Sequence, residues 1–389
     1  MAAEVSESLD ATGLLRAADD AMRAHDLVAA GALLERYAAS TTPGHDEWLR
    51  IATARRANGD YVGALAAAGH AVKHRPDSFL ALLTGGSLLH AMGRAEESAR
   101  AYQAAIARAP DERRLPPFLL SELALAREVV DRDQSWRRDL PTRLAAALRN
   151  AGVVERDRIE RFKGAIEAGS SQDDGSFEFA YPDLSPAGFL DPKGFAGVTA
   201  LEDATPVIQA EFQALVSARA SELSPYVDHP ASHVSSPEWT ALGRTGKWSM
   251  LPLIQYGEPV AENAEICPET VRLYLDTQPP VVTGRSPNLV FSVLDPHTRI
   301  PAHTGVINTR LVLHIPVLVP RDCAIRVGAV TRPWTIGQAL IFDDTMDHEA
   351  WNDSDQLRVI LLGDLWRPEL TDIERTAISI LLARARVGD

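Results

Sequence analysis

A spacing of 34 residues recurs in the first third of the chain and restricts what this part can fold into. The pairs of identical residues at this interval are Gly59 and Gly93, Ala67 and Ala101, Ala71 and Ala105, Pro76 and Pro110, and Asp77 and Asp111. Between residues 11 and about 110, apolar residues recur every three or four positions, which predicts helices. Glycine permits a tight turn and proline ends a helix, so each copy is predicted to be a helical hairpin.

The order of small residues in this unit resembles the tetratricopeptide repeat, which has the same period. A weaker copy covers residues 11–43, where Ala30 precedes Ala64 by the same interval. Stacked repeats of this kind usually present a concave face to a peptide or to another domain. Two roles remain open: binding such a partner, or stabilising the rest of the chain.

The character of the sequence changes near residue 178, where short apolar runs lie between Pro, Gly, Asp and Asn turns. These runs are WSMLPLIQY, NLVFSVL, TRLVLHIPVLV, CAIRVG, QALIFD and LRVILLGDLW. With no helices alternating between them, they predict an antiparallel sandwich or jelly roll, closed by the amphipathic helix TDIERTAISILLARARV. We therefore predict an α+β multidomain protein with helical repeats at 11–112, a helical connector at 113–175 and a β domain at 176–389.

Composition restricts partners and compartment. Acidic residues number 53 against 39 basic ones, a formal net charge of -14 that disfavours nucleic acid as a partner. The two cysteines, Cys267 and Cys323, cannot form a disulfide framework. The N-terminus lacks the features of a signal peptide, and no apolar run approaches the roughly 18 residues of a spanning helix. We expect a cytoplasmic protein without a membrane span.

Polar residues interrupt two of the predicted strands. Alternate residues of a strand share a face, so Arg310, Val312 and His314 are predicted to project together. Arg358 lies in the apolar strand LRVILLGDLW, where burial without an anionic partner is costly. A dicarboxylate could supply that partner through a bidentate pairing.

Two histidines lie in motifs that are widely separated in sequence, His303 in PAHTG and His348 in DDTMDHEAW. Neutral imidazoles bind iron(II), and two of them with a downstream strand arginine fit the plan of a non-haem iron oxygenase. Spacing alone gives weak support, because any one of the 11 histidines is more often a surface or core residue than a ligand.

A family resemblance adds to this interpretation. It covers about residues 248–371, a third of the chain, and rests on CPETVRLYL, FSVLDPHTRIPAHTGVINTRLVLHIPVLVP and GQALIFDDTMDHEAWNDSDQLRVILLGDLWRPELT. These segments resemble the aspartyl/asparaginyl β-hydroxylase family. The resemblance implies a double-stranded β-helix, with Fe(II), 2-oxoglutarate and dioxygen as cofactors and cosubstrates. It also implies hydroxylation of an unactivated C–H bond, at the β-carbon of an Asp/Asn-type residue in a peptide or protein or in a related small molecule.

The resemblance assigns roles to individual residues. His303 and His348 resemble the iron ligands and catalytic residues, and Arg358 with Ser292 resembles the pair that holds the C5 carboxylate of 2-oxoglutarate. His314 and Arg310 would approach the other end of the cosubstrate or the substrate.

Two departures from related patterns concern the same site. Most oxygenases of the superfamily have a carboxylate two residues after the first histidine, whereas this chain has Gly305, as the animal β-hydroxylases do. Water or an anion is expected in that place. The sequence assigns Asp343, Asp344 and Asp347 to the turn before His348 or to orienting its ring.

The second departure is Val312, which replaces an arginine that in the animal enzymes resembles a grip for the acidic side chain of the substrate. Two alternatives to a hydroxylase follow from these features. A glycine at the carboxylate position also occurs in halogenases that use the same cofactors. A binding protein that has lost catalysis is the other alternative, and the joint presence of all five cofactor-site residues argues against it.

Overall fold

The computed structural model describes residues 9–24, 26–168, 180–219, 223–226, 238–239, 242 and 245–383. The predicted connector beyond residue 168, and the end of the last helical run beyond residue 383, lie outside the described residues. The chain divides into two compact units at the boundary between Arg138 and Asp139.

The first unit is built from helices. They are α1 (Ala11–Arg23), α2 (Leu27–Ser40), α3 (His45–Ala57), α4 (Tyr61–His74), α5 (Phe79–Ala91) and α6 (Ala95–Ile106), followed by α7 (Pro117–Ala147), which contains the boundary. Consecutive helices pack in pairs, α1 with α2, α3 with α4 and α5 with α6.

The two repeat glycines explain the turns between paired helices. Gly59 has φ 80° and Gly93 has φ 71°, a left-handed conformation that glycine adopts without steric cost. Asp60, directly after the first of these turns, caps α4 by accepting the backbone N–H of Gly63. Ala67 and Ala71 are fully buried, as expected where two helices approach closely. The predicted helical hairpins are confirmed.

The second unit combines helices and strands. Its helices are α8 (Val153–Ala168), α9 (Val198–Asp203), α10 (Thr205–Arg219), α11 (Ala261–Ala264), α12 (Pro268–Leu275) and α13 (Asp372–Leu382). Its strands are β1 (Phe189–Leu190), β2 (Ser224–Pro225), β3 (Trp248–Gln255), β4 (Glu258–Pro259), β5 (Leu289–Leu294), β6 (Thr298–His303), β7 (Arg310–Leu318), β8 (Cys323–Val327), β9 (Val330–Pro333), β10 (Leu340–Phe342), β11 (His348–Asn352) and β12 (Arg358–Trp366).

The expectation that no helices lie between the strands is wrong, because α11 and α12 lie between β3 and β5. Pro268 occupies the first turn of α12, where its missing N–H has no helical partner to lose. Leu273 and Tyr274 are buried on one side of this helix. The segment CPETVRLYL therefore forms a helix within the run of strands.

The strands form two antiparallel sheets. The major sheet has the order β1-β10-β7-β12-β5-β3-β2, with β4 paired to β3, and the minor sheet has the order β6-β11-β8-β9. In the major sheet, the strand β12 that carries Arg358 lies between β5 and β7, which carry Ser292 and His314. The topology thus brings together residues that are far apart in sequence.

Alternation along the strands separates two layers of core. On one face of the major sheet, Phe291, Leu313 and Leu361 pack in one cluster with Leu201 of α9 and Phe212 of α10. On the opposite face, Val312 and Ile360 cluster with Ile300 and Ile325 of the minor sheet. The second layer is the interior between the two sheets, and the predicted double-stranded β-helix is confirmed.

Close packing of α5 against α6 makes Gly86 sensitive to substitution. A Cβ atom at Gly86 would lie 2.5 Å from Cδ1 of Tyr102, a side chain that is fully buried. We expect Gly86→Ala to lower the free energy of unfolding by about 1–3 kcal/mol, because the ring must move within a packed core. Urea denaturation followed by circular dichroism measures this change.

Gly85, the preceding residue of α5, is the matched control. A Cβ atom there meets nothing within 4 Å. Alanine favours a helix over glycine, so Gly85→Ala should raise the free energy of unfolding by about 0.5–1 kcal/mol. Equal effects of the two substitutions would contradict the packing described here.

Candidate active site

His303 and His348 lie on neighbouring strands of the minor sheet. His303 is the last residue of β6 and His348 the first of β11, and the two are direct partners in the antiparallel register. Their ring centroids are 4.0 Å apart. The two histidines that the sequence singled out therefore lie side by side.

Backbone carbonyls orient both rings. Nδ1 of His303 lies 2.8 Å from the carbonyl oxygen of Pro301, and Nδ1 of His348 lies 2.9 Å from that of Met346. A carbonyl oxygen only accepts, so each Nδ1 carries the proton and each Nε2 keeps a lone pair. Second-sphere bonds of this kind fix the tautomer of metal-binding histidines.

The surroundings keep both rings uncharged. Burial and the neighbouring ring of His348 lower the pKa of His303 to about 4. Burial also lowers the pKa of His348, outweighing the bond to Met346. Near neutral pH both imidazoles are thus in the form that binds a metal ion.

An irregularity in β6 positions His303. Ala350 of β11 pairs with Ile300, so Pro301 and Ala302 together oppose the single residue Glu349. This is a β-bulge, a feature that bends a strand and turns a side chain in a new direction. It also brings the carbonyl of Pro301 to the ring of His303.

The carboxylate of Asp344 occupies the space beside Gly305. A Cβ atom at Gly305 would lie 2.4 Å from both Cγ and Oδ2 of Asp344, and the backbone N–H of Gly305 donates to the Asp344 carbonyl. Oδ1 of Asp344 is buried and has no hydrogen-bond partner in the described part of the protein. A carboxylate is therefore present where Gly305 leaves room for one, although a different segment supplies it.

The sequence placed Asp343, Asp344 and Asp347 together in the turn before His348, but the structure gives the first two different contacts. Asp343 holds the turn, because it accepts both the backbone N–H and the hydroxyl of Thr345. It also forms a fully buried ion pair with Arg367 at 2.8 Å. Asp344 instead faces Gly305 and Arg310.

Arg310 is held by two carboxylates. Its guanidinium lies 3.0 Å from Oδ2 of Asp344 and 3.3 Å from Oδ1 of Asp364. Burial opposes the charged form of Arg310, but the two carboxylates outweigh it and raise its pKa. For Asp344 burial dominates and raises the pKa, with Arg310 acting in the opposite direction.

Arg358 contrasts with Arg310. It is 2% exposed, and among the described residues no carboxylate pairs with it. One guanidinium nitrogen donates to the hydroxyl of Ser292 at 3.4 Å, and Trp248 donates to the same hydroxyl at 3.0 Å. Nε of Arg358 has no hydrogen-bond partner in the part of the chain that the structure describes. Burial lowers the pKa of Arg358 to about 10, which leaves it a cation near neutral pH. A buried cation of this kind calls for an anionic ligand.

His314 and Val312 lie on the interior face of β7. Indole Nε1 of Trp334 donates to Nδ1 of His314 at 3.3 Å. Burial and the charge of Arg358 lower the pKa of His314 well below its usual range. Phe342 lies between this region and the histidine pair, with its ring centroid 5.0 Å from that of His314 and 5.5 Å from that of His348.

No three or more His, Cys, Asp or Glu side chains converge as a metal site among the described residues, so the candidate site rests on two histidines. None of the helices described is long and apolar enough to cross a membrane.

Comparison with known proteins connects this geometry to a family. The model of the family described as aspartyl/asparaginyl β-hydroxylase matches residues 202–368. An ornithine lipid ester-linked acyl 2-hydroxylase of Rhizobium tropici is 31% identical over 224 residues, which cover 56% of this chain and 74% of that protein. The chain belongs to the aspartyl/asparaginyl β-hydroxylase family. The resemblance that the sequence motifs indicated is confirmed.

Other relatives match over shorter stretches. The human aspartyl/asparaginyl β-hydroxylase is 35% identical over 143 residues, which cover 36% of this chain and 19% of the human protein. Human aspartate β-hydroxylase domain-containing protein 2 is 32% identical over 160 residues, covering 43% of its length. The chain thus spans about a fifth and under a half of these two proteins. Among solved structures, AviO1 of Streptomyces viridochromogenes aligns with 57% of this chain at 13% identity and a TM-score of 0.25.

Several residues of this hydroxylase-family site were not found from the sequence. Asp364 shares the strand face of Arg358, so alternation along β12 could have placed it in the interior. Trp334 follows β9 in a loop, and Trp248 lies on a strand 44 residues before Ser292, its hydrogen-bond partner. No local pattern pointed to the contacts of these two tryptophans.

The contact between Gly305 and Asp344 yields a prediction. Gly305 has no positive φ, so space rather than backbone conformation requires glycine there. Gly305→Ala should destabilise the metal-free protein by about 1–3 kcal/mol, because the new Cβ overlaps a buried carboxylate. In an Asp344→Ala background the same substitution should cost little stability. Thermal unfolding of the unmodified protein, the two single variants and the double variant measures the energetic coupling between the two residues.

Gly194→Ala is the control, because nothing lies within 4 Å of a Cβ atom at that glycine. It should leave the melting temperature nearly unchanged. Additive effects of Gly305→Ala and Asp344→Ala would show that the two residues are not in contact.

Proposed function

We propose that this chain is an iron(II)- and 2-oxoglutarate-dependent hydroxylase. The observation that carries the proposal is the guanidinium of Arg358, buried without a carboxylate partner among the described residues, in the same interior as two opposed neutral histidines. Membership of a family named for hydroxylases supports the reaction class.

The residues present fit the metal. His303 and His348 both keep a lone pair on Nε2 because Nδ1 donates to a carbonyl. Imidazole nitrogens suit iron, and the carboxylate of Asp344 lies nearby with one oxygen that has no hydrogen-bond partner among the described residues. His303 and His348 would hold iron(II), with Asp344 as a negative charge beside it.

The residues also fit the cosubstrate. Arg358 and the hydroxyl of Ser292 offer donors to a carboxylate, and an arginine can form a bidentate pair with one. When bound together, iron(II), 2-oxoglutarate and dioxygen supply the oxidising chemistry, in which one oxygen atom enters a C–H bond as hydroxyl and the other enters succinate with loss of carbon dioxide. The residues of the chain bind and orient these groups, and the apolar interior around Phe342 limits access of water.

Asp344 also argues against halogenation. In a halogenase of this kind, a halide binds the metal at the position that the missing carboxylate ligand would occupy. In this chain Gly305 stands at the place of that carboxylate. Here the buried side chain of Asp344 fills the space next to Gly305, and a second anion beside it would be repelled. Hydroxylation is therefore favoured over the halogenase alternative.

The charges of the interior bear on the substrate. Arg310 forms ion pairs with Asp344 and Asp364. The side chain of Val312, which is 6% exposed, adds an apolar surface to the interior. Among the described cations of the interior, only Arg358 lacks an acidic partner, and the cosubstrate requires it. We propose a reacting group without its own carboxylate, such as an asparagine-like amide or an alkyl chain, rather than an aspartate side chain. The Rhizobium tropici relative, an acyl 2-hydroxylase by name, is consistent with an alkyl group.

The metal site is tested by removing each histidine. His303→Ala and His348→Ala should each abolish binding of one iron(II) per chain and 2-oxoglutarate turnover, because two lone pairs hold the ion. Equilibrium dialysis followed by metal analysis measures binding, and succinate release measures turnover. His297→Ala, which removes an exposed histidine paired with Asp355, should change neither. Full activity in His348→Ala would refute the assignment.

The cosubstrate site is tested at Arg358. Arg358→Ala should weaken binding of 2-oxoglutarate by on the order of 2–5 kcal/mol, since it removes the cation of a buried charge pair. Isothermal titration with Mn(II)-loaded protein measures the affinity without turnover. Arg299→Ala, at an arginine 53% exposed on the minor sheet, is the control and should leave the affinity unchanged. An unaltered affinity in Arg358→Ala would make that arginine structural.

Specificity is tested at Val312. An unpaired carboxylate against an apolar wall is costly, so the unmodified protein should turn over the epidermal-growth-factor-like peptides of the animal enzymes poorly. Val312→Arg should increase that turnover. Val312→Met, which introduces a long side chain without the charge of arginine, should not. Succinate release with each peptide measures the difference. Efficient turnover of such a peptide by the unmodified protein would show that another cation binds its carboxylate.

A further inference from the structure

The histidines described around the interior have two opposite hydrogen-bond arrangements. In His303 and His348, Nδ1 faces a backbone carbonyl, which can only accept. In His314, Nδ1 faces the indole N–H of Trp334 at 3.3 Å, and an indole nitrogen can only donate. Nδ1 of His314 is therefore the acceptor, and the proton of the neutral ring lies on Nε2.

We infer that Trp334 is a positioning residue that fixes His314 in its Nε2–H tautomer, so that this ring presents a hydrogen-bond donor to the cosubstrate carboxylate and not a lone pair to the metal. The recipient of that hydrogen bond rests on the proposed function, whereas the tautomer does not.

The environment of His314 supports a single tautomer. The side chain is 7% exposed and Trp334 is 5% exposed, so bulk water does not compete for Nδ1. Burial and the neighbouring guanidinium of Arg358 hold the pKa of His314 well below its usual range, so the doubly protonated ring is excluded near neutral pH. A neutral ring whose Nδ1 accepts has one remaining polar atom, the Nε2–H.

Trp334 also contacts the second group that would bind the cosubstrate. The guanidinium carbon of Arg358 lies 5.2 Å from the centroid of the Trp334 ring, within the range of a cation–π interaction. One indole thus packs against the cation with its face and fixes the donor with its edge. Arg358 and His314 would consequently offer the anion a charge and an N–H from adjacent positions.

The tautomer also separates the roles of the three histidines. Imidazole binds a metal through a nitrogen that carries no proton. His303 and His348 leave Nε2 in that form, but His314 does not. Phe342 contacts both His314 and His348, so His314 is close to the candidate metal site and its tautomer determines whether it could compete as a ligand.

The first experiment reads the tautomer directly. In metal-free protein labelled with ¹⁵N-histidine, long-range ¹H–¹⁵N correlation spectra distinguish protonated from unprotonated ring nitrogens, and the spectrum of His314→Gln assigns the His314 signals. We expect Nε2 protonated and Nδ1 unprotonated in the unmodified protein. Trp334→Phe, which keeps an aromatic ring but removes the N–H, should shift both signals towards a mixture of tautomers.

The second experiment connects the tautomer to binding. Hydrogen bonds to charged groups change an equilibrium constant by roughly ten- to a hundredfold, so Trp334→Phe should weaken 2-oxoglutarate binding to Mn(II)-loaded protein by about tenfold. The amide nitrogen of glutamine lies near the place of Nε2 and donates without a tautomer. In a His314→Gln background, Trp334→Phe should therefore have less than a threefold effect, roughly the additivity limit for independent sites.

Trp351→Phe is the matched control. Trp351 lies on β11 with the guanidinium of Arg299 over its ring at 4.9 Å, outside the candidate site. This substitution should change neither the His314 signals nor the affinity for 2-oxoglutarate.

Two results would overturn the inference. One is a His314 spectrum that does not change in Trp334→Phe. The other is a changed spectrum in which Trp334→Phe has the same effect on affinity with His314 intact as in the His314→Gln background. If the unmodified Mn(II)-loaded protein does not bind 2-oxoglutarate at all, the proposed function fails, and with it the role of His314 as donor to that acid. The imidazole spectrum would still decide whether Trp334 sets the tautomer.

Discussion

The pairing register between β6 and β11 is the constraint on which the candidate site depends. It places His303 beside His348, because β6 and β11 are neighbouring strands of the minor sheet and these two residues are register partners. Successive residues of a strand face opposite sides, so a slip of one residue would turn one imidazole away from the other. The apolar layer between the sheets resists that slip, because it would also take a buried apolar side chain out of the interior, Ile300 if β6 moved or Ala350 if β11 moved.

Near this pair, two arginines of the interior differ in their carboxylate partners. Arg310 has two carboxylate partners, while Arg358 has none among the described residues. The charge of the first arginine is thus compensated within the fold, whereas that of the second is left for the cosubstrate carboxylate in the proposed function. Both are strand residues in the same sheet, and their difference arises from neighbours contributed by other segments, Asp344 before β11 and Asp364 within β12.

Sequence patterns predicted the helical hairpins, the longer strands and the side chains that share the face of Arg310, because periodicity is local. They did not identify β6 and β11 as strands, since a bulge at Pro301 interrupts the alternation in the first, and two of the three buried positions in the second are the polar residues His348 and Asn352. The position of Asp344 beside Gly305 and the bond from Trp334 to His314 were also not predictable, because both join segments about 20 or more residues apart. The family resemblance supplied roles for His303, His348 and Arg358 that periodicity could not.

The bulge at Pro301 has a consequence beyond the orientation of one ring. Within the part of the chain that the structure describes, β6 is an edge strand of the minor sheet. Exposed strand edges invite pairing with strands of other molecules, and proline and bulges are two common obstacles to it. The same irregularity that turns His303 towards His348 therefore makes β6 a poor template for aggregation. Straightening it to a regular strand would expose the protein to self-association as well as separate the two histidines of the candidate site.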